Sequence, residues 1–335
     1  MVGAGPRLRR WALILACVPA LPGGCAADGP GKPGRSPPGT AAGQILAPWI
    51  SLNGARVAPA ADATGTPSLR AGPLVFQRFV HVAAVAVHDN DLYVVDSGVA
   101  TVFRYDIGLG VMTPVAGVPA HHGTRVLVGG DFSLYVLDAQ SRRVLRFSRS
   151  GQVLAAYAAG SDLAHPVDLA LEEPGGAVLV ADGALNQIVS FHPLGRAWRV
   201  VTLRGDERNR VRGVAALAAG AGALYVSDPA CGCVARVARD GAVLDTFGHQ
   251  SVFQPGPIAL DRHGRVFVAD RYDQTLKIFA EGRLARTLPA AALGLGQISD
   301  VRISDDWLAL ADGVNARVEL LRIAPPAAAE RRATP

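Results

Sequence analysis

Most sequence signatures of enzymatic chemistry are missing from this 335-residue chain. It has no G-x-S-x-G nucleophile elbow, no H-E-x-x-H pair, no phosphate-cradling glycine loop and no EF-hand loop. The serine-esterase, zinc-protease, P-loop and calcium-sensor classes therefore lack their characteristic residues. Lysine is nearly absent as well, with two (Lys32 and Lys277) against 31 arginines. That skew follows coding composition and carries no functional argument. There is no helix-length periodic stretch, and the N-terminal apolar run WALILACVPAL, at eleven residues, is too short for a membrane span. What the chain does have is bulk: half of its residues are apolar, enough for a sizeable core in two ordinary domains or one large all-β domain.

The short apolar run follows Arg7, Arg9 and Arg10, the order expected of a secretory signal over residues 1–24. Its removal takes the net charge from +5 to +2, with 30 basic against 28 acidic side chains, so the basic pI gives no reason to expect nucleic acid or anionic lipid as a partner. LPGGC, from Leu21 to Cys25, resembles the lipobox of bacterial lipoproteins, which implies a lipid-modified Cys25. Cys17, inside the apolar run, is a weaker site for the same modification, and ordinary signal cleavage near Ala27 is the alternative. Residues 25–44 carry a Gly/Pro-rich tether that cannot form a core, as an anchored domain requires. Residues 324–335 read as a disordered tail.

Between these ends an internal repeat dominates. LYVVD, LYVLD, VLVAD, LYVSD, VFVAD and LALAD end at Asp96, Asp138, Asp182, Asp228, Asp270 and Asp312, with separations of 42, 44, 46, 42 and 42 residues. Each is followed by a short turn and a second β-rich segment, and most by a third; each is preceded by another apolar segment. Four short strands at a period near 42 match a β-propeller blade, and six units make a ring. In VFVADRYDQTLKIF, the pair Asp270 and Asp273 has metal-site spacing, but Asp273 has no acidic counterpart in the other repeats. Asp270 is thus read as one of six turn residues whose carboxylates accept backbone N–H groups.

FQPGPIALDRHGRVFVADRYDQTLKIFAEGRL and LAHPVDLALEEPGGAVLVADGALNQIVSFHPLG resemble NHL repeats. The resemblance covers about residues 79–323 and is weakest in the second repeat, where GTRVLVGG replaces the usual Pro-led segment. It implies an all-β, six-bladed propeller of four-stranded antiparallel blades. No fourth strand follows Ile323, so a strand from the N-terminal segment 45–78 is expected to close the last blade and remove an exposed edge. The stretch from about Pro67 to Phe76 is the expected donor, with residues 45–66 outside the ring.

In such propellers the first strand of each blade lines the channel, and the turns after the aspartates share the usual ligand face. His81, the pair His121 and His122, and His165 fall near the starts of inner strands one to three, with Arg212 and Asp300 at corresponding positions in blades four and six. His81, His122 and His165 could together hold zinc or another divalent metal, in the region where the related peptide α-amidating lyases are expected to bind a metal through histidines. The plainer reading is solvated loop histidines. Strand alternation argues against a direct pair between Asp168 and His165, and His88, His192, His249 and His263 read as surface residues. Cys231 and Cys233 form a C-x-C in the fourth turn, either a tight structural disulfide or half of a soft-metal site, with no further ligands nearby. RGDERNRVR (204–212) reads as a solvated charged loop, and no set of inner-strand acidic and amide residues of the lactone-hydrolysing kind recurs.

The expectation is an exported bacterial envelope lipoprotein, on the periplasmic side of a membrane or soluble in the periplasm. Its monomeric propeller would bind an envelope protein, a peptide or a small molecule, with no cofactor required. The alternative is a metal-dependent lyase or hydrolase at the same channel mouth.

Overall fold

The computed structural model describes residues 45–58, 74–172, 176–195, 197–207 and 209–325. The signal segment, Cys17, Cys25, the tether and most of the tail lie outside them. Apart from two short 3-10 turns at Gly160–Asp162 and Ala290–Leu293, every regular element of the described chain is a β-strand.

Six antiparallel sheets follow one another along the chain. Their innermost strands are Val82–His88, Arg125–Val128, Pro166–Glu172, Ala216–Ala219, Pro255–Leu260 and Asp300–Ser304. Each packs against its two neighbours in order, and the sixth packs against the first, so the sheets form a closed ring. The chain enters every inner strand from one face and leaves it on the other. Blades three and six, and likewise two and five, therefore stand across the axis from one another.

Valine, leucine and alanine, with Tyr, Phe or Trp, dominate the second strands of the blades because these are covered on both sides by the neighbouring sheets. In Asp91–Asp96 and Trp307–Asp312 every residue is buried. The core is accordingly a set of layers between blades. One layer joins Val85, Val94, Phe103 and Met112 of blade one to Ala309, Val318 and Leu320 of blade six.

The donor of the ring-closing strand differs from the expected one. Leu46–Leu52 pairs antiparallel with Arg317–Ile323, its register running from Leu46 opposite Ile323 to Leu52 opposite Val318. Residues 59–73, which include most of the Pro67–Phe76 stretch, lie outside the described residues. Val75–Arg78 pairs with Gly54–Val57, which in turn lies parallel to Val111 and Met112, so blade one gains two outer strands and becomes six-stranded. The physical reason lies in the pattern: Ile50 and Leu52 are apolar in alternate register and become buried at the seam, whereas Val75 and Phe76 remain exposed.

Side chains lock this seam. Trp49 meets Trp307 edge-on with ring centroids 5.6 Å apart, and the Arg322 guanidinium lies 3.7 Å above the Trp307 ring. Ser51 Oγ donates to Glu319 Oε1 at 2.6 Å, and Arg317 Nε approaches the same oxygen at 2.9 Å. A chain trimmed to begin at residue 53 should lose the cooperative melt of the full chain and elute as aggregate in size-exclusion chromatography. One beginning at residue 45 should melt and elute as the full chain does; equal behaviour of the two would mean that the ring closes without this strand.

Candidate functional site

One face of the ring is organised by the repeated aspartates. Asp182 shows the full pattern: Oδ2 accepts the N–H groups of Ala164 and His165 at 2.7 and 2.8 Å, and Oδ1 accepts those of Ala184 and Leu185, both at 2.9 Å. The carboxylate thus closes its own turn, as the sequence suggested, and also clamps the segment leading into the inner strand. Asp96, Asp228, Asp270 and Asp312 do the same, receiving Val80 and His81, Arg212, Phe253 and Gln254, and Gly296 respectively. The residue four places after each aspartate adopts a left-handed conformation in every blade: Ala100, Arg142, Asn186, Gly232, Gln274 and Ala316. Blade two departs from the scheme. Asp138 binds only its own turn, through the N–H groups of Gln140 and Ser141 and the Ser141 hydroxyl. The entry segment there closes on itself, with Thr124 Oγ1 accepting the His121 N–H at 3.0 Å.

Asp270 and Asp273 do converge, but on a side chain. The Lys277 ammonium, almost fully buried, donates to Asp270 Oδ2 at 2.5 Å and Asp273 Oδ2 at 2.7 Å. Burial pushes the Asp270 carboxyl up; the Lys277 hydrogen bond and the N–H groups of Phe253, Tyr272 and Gln254 outweigh it and hold it below the ordinary carboxylate value.

The clamps place His81 and His165 on this face. His81 is half-buried, its Nδ1 2.9 Å from Ser97 Oγ, and its ring meets that of exposed His122 edge-on at 5.8 Å between centroids. His121 and His165 are exposed. The imagined metal triad is not gathered. Among the described residues, the one group of three possible donors within 4.8 Å of one another is Asp228, Cys231 and Cys233, and the two sulfurs are joined in a disulfide. Arg212 is exposed and tied to the face by its amide on Asp228.

Asp300 is not at the mouth. It is buried at the axis, where Oδ2 accepts the Val85 N–H of blade one at 3.1 Å. Asp168 is its equivalent in blade three, accepting the Leu217 N–H of blade four at 3.0 Å. Arg302 of blade six reaches across the ring to Asp168, with Nη2 2.5 Å from Oδ1, while its Nε lies 3.5 Å from Asp300. Burial opposes the guanidinium charge, and the two carboxylates more than compensate, holding Arg302 above its ordinary value. The sequence reading missed this crossbar. Its signal is a charged residue inside an apolar inner strand, VDLAL and DVRIS.

The crossbar separates the histidine mouth from a cavity of 460 Å³ at the opposite end. All six inner strands line that cavity, through residues such as His88, Leu127, Leu171, Ala219, Leu260 and Ser304. His88 is therefore not a plain surface residue: it is half-buried, with Nδ1 3.2 Å from Ser304 Oγ.

On the clamped face, Val80, Val99, Leu185, Phe253, Tyr272 and Val314 are all exposed, Tyr272 and Val314 at 72% and 69%. They sit in the turns after the aspartates or the entry segments before the inner strands. Phe253 and Tyr272 stack with centroids 5.3 Å apart.

No family model and no curated protein matches the chain. Solved structures do. A virginiamycin B lyase from Staphylococcus aureus, a catalytically inactive variant with quinupristin, is 11% identical over 85% of this chain and 97% of its own, with a TM-score of 0.55. A protein of unknown function from Bacteroides thetaiotaomicron is 13% identical over 82% and 76%, with a TM-score of 0.60. A gluconolactonase from Xanthomonas campestris is 19% identical over 73% and 87%, with a TM-score of 0.58. At these identities the likeness establishes the fold: this chain is a six-bladed β-propeller built on four-stranded blades, the first extended to six strands and the last completed by an N-terminal strand.

Because the folded Asp270 carboxyl titrates below its unfolded value, its contribution to stability is complete above the unfolded pKa and is lost as pH falls through the folded one. The stability gap between wild type and Asp270→Asn in urea titrations should be largest at neutral pH and shrink below about pH 4. A gap that stays constant down to pH 2 would contradict the clamp.

Proposed function

We propose that the protein is an exported, envelope-anchored lipoprotein whose propeller is a binding scaffold for a protein or peptide partner on the clamped face. The observation that carries this reading is the set of six exposed apolar side chains that the turns and entry segments bring to one face beside a polar mouth, because exposed apolar side chains rimmed by polar groups mark interaction sites. The anchor rests on LPGGC, the preceding signal-like stretch and the Gly/Pro-rich tether, which would hold the ring away from a bilayer while leaving this face free to turn toward a partner.

A photo-crosslinking residue placed at Tyr272 should capture a discrete envelope partner or peptide, and Phe253→Ala should reduce that capture several-fold, whereas a crosslinker at Leu154 on an outer strand should capture none. Equal yields from both positions would count against the face. For the anchor, mass spectrometry of the mature protein should find an N-terminal Cys25 carrying acyl chains; an unmodified chain starting after Ala27 would refute it.

A metal-dependent lyase or hydrolase is the second reading, and the His81–His122 pair favours it. It requires one equivalent of bound divalent metal in purified protein, lost in the His81→Ala/His122→Ala variant; metal-free wild type that still binds its partner leaves the scaffold reading standing.

A further inference from the structure

The turn of blade four differs from its five sisters in one respect: Cys231 and Cys233 are bonded to each other. The bond is not needed to make the turn. Asp228 Oδ1 accepts the Ala230 and Cys231 N–H groups at 2.8 and 3.3 Å, as Asp182 and Asp312 do in their turns. Gly232 takes the same left-handed conformation that Ala100, Arg142, Asn186, Gln274 and Ala316 take with no disulfide present. Asp228 and Cys233 are cross-strand partners, just as Asp182 and Gln187 are. Nor can the bond add much through the unfolded chain, since it closes a loop of only three residues and the entropic gain grows with loop length.

Its two sulfurs are also unequal. Cys231 is half-exposed on the clamped face, while Cys233 is 1% exposed inside the ring. Gly232 between them is pressed against blade five, where an added Cβ would stand 2.8 Å from the Val252 carbonyl oxygen. This places the loop next to Phe253, whose exposed ring stacks on Tyr272.

From these observations we propose that Cys231–Cys233 is a thiol–disulfide exchange site that accepts electrons from thiols borne on apolar peptides. A substrate thiolate attacks Cys231 Sγ, the sulfur of the more exposed residue. The new bond joins the substrate to Cys231, the Cys231–Cys233 bond breaks, and Cys233 leaves as a thiolate that takes a proton from solvent. A second substrate thiolate then attacks the substrate sulfur of the mixed disulfide and releases Cys231. Two thiols are oxidised to one disulfide and the protein disulfide is reduced to two thiols. The fold survives because the clamp, not the sulfur bond, holds the turn.

The test uses the full mature chain in millimolar glutathione, with alkylation and mass spectrometry as the readout. The disulfide is expected to be reduced in folded protein, with the melting temperature falling by less than about 5 °C. With oxidised glutathione as the reagent instead, whose disulfide a free thiolate opens with release of one reduced glutathione, Cys233→Ser is expected to accumulate a glutathione adduct on Cys231, and Cys231→Ser to accumulate at least ten-fold less on buried Cys233. A cysteine peptide flanked by leucine and phenylalanine should reduce the wild-type bond at least five-fold faster than one flanked by glycine and serine, and Tyr272→Ala should erase that difference. A disulfide that is reduced only on unfolding overturns the exchange site, as does equal labelling of the two cysteines. Equal rates for the two peptides overturn the substrate class.

Discussion

One carboxylate in each of five blades sets the geometry on which the rest of this ring depends. A hairpin turn and the strand that enters the next layer have no reason of their own to hold a fixed distance, since loops of this length are flexible and solvated. An aspartate at the end of the second strand removes that freedom by accepting N–H groups from both sides, as Asp182 does with four. Hydrogen bonds to a charged acceptor contribute about 1.5–3 kcal/mol each. The bonds also satisfy backbone donors that the sheet ladders leave unpaired. The result is a rigid face, and rigidity is what allows exposed apolar side chains there to present a defined surface.

The same economy governs the axis. Inner strands have one edge with no β-neighbour, and in blades three and six an aspartate reaches sideways to the next blade's N–H, Asp168 to Leu217 and Asp300 to Val85. Arg302 then pairs with Asp168 from across the ring and lies beside Asp300 of its own strand. Removing one partner of such a buried set strands a charge and costs about 3–5 kcal/mol. The crossbar consequently divides the channel, so a ligand at the histidine mouth and one in the 460 Å³ cavity would meet different side chains, the cavity offering aliphatic strand ends together with His88, Arg262, Ser304 and Asp305.

The repeat, the blade count and the need for a borrowed strand are all legible in the sequence, because each rests on local periodicity. VFVAD and its five relatives state where second strands end, and the last repeat, with three β-rich segments through Ile323 in place of four, states that an edge needs cover. Which segment covers it is not legible. Leu46–Leu52 and Val75–Arg78 are both short and β-rich, and the choice depends on how Ile50, Leu52 and Trp49 fit against Val318 and Trp307. The site is legible only by zone. Inner-strand spacing correctly brings His81 and His122 to one face, but it says nothing of side-chain convergence, so His165 stays apart and Asp300 turns inward. Lys277, with both Asp270 and Asp273 on its ammonium, shows why acidic spacing alone misleads: the i, i+3 carboxylates meet a cation supplied by the facing strand.

The account therefore stands or falls on whether the aspartate clamps hold the face. Residue-resolved amide hydrogen exchange measures this directly. The amides of His81, His165, Gln254 and Gly296, each bound to a clamp carboxylate, should exchange only through global unfolding, whereas the entry segment 119–124 of blade two, which no clamp reaches, should open through a lower-energy local route. Clamped amides that exchange at the rates of free loops, or a blade-two segment protected as well as the other five, would contradict it.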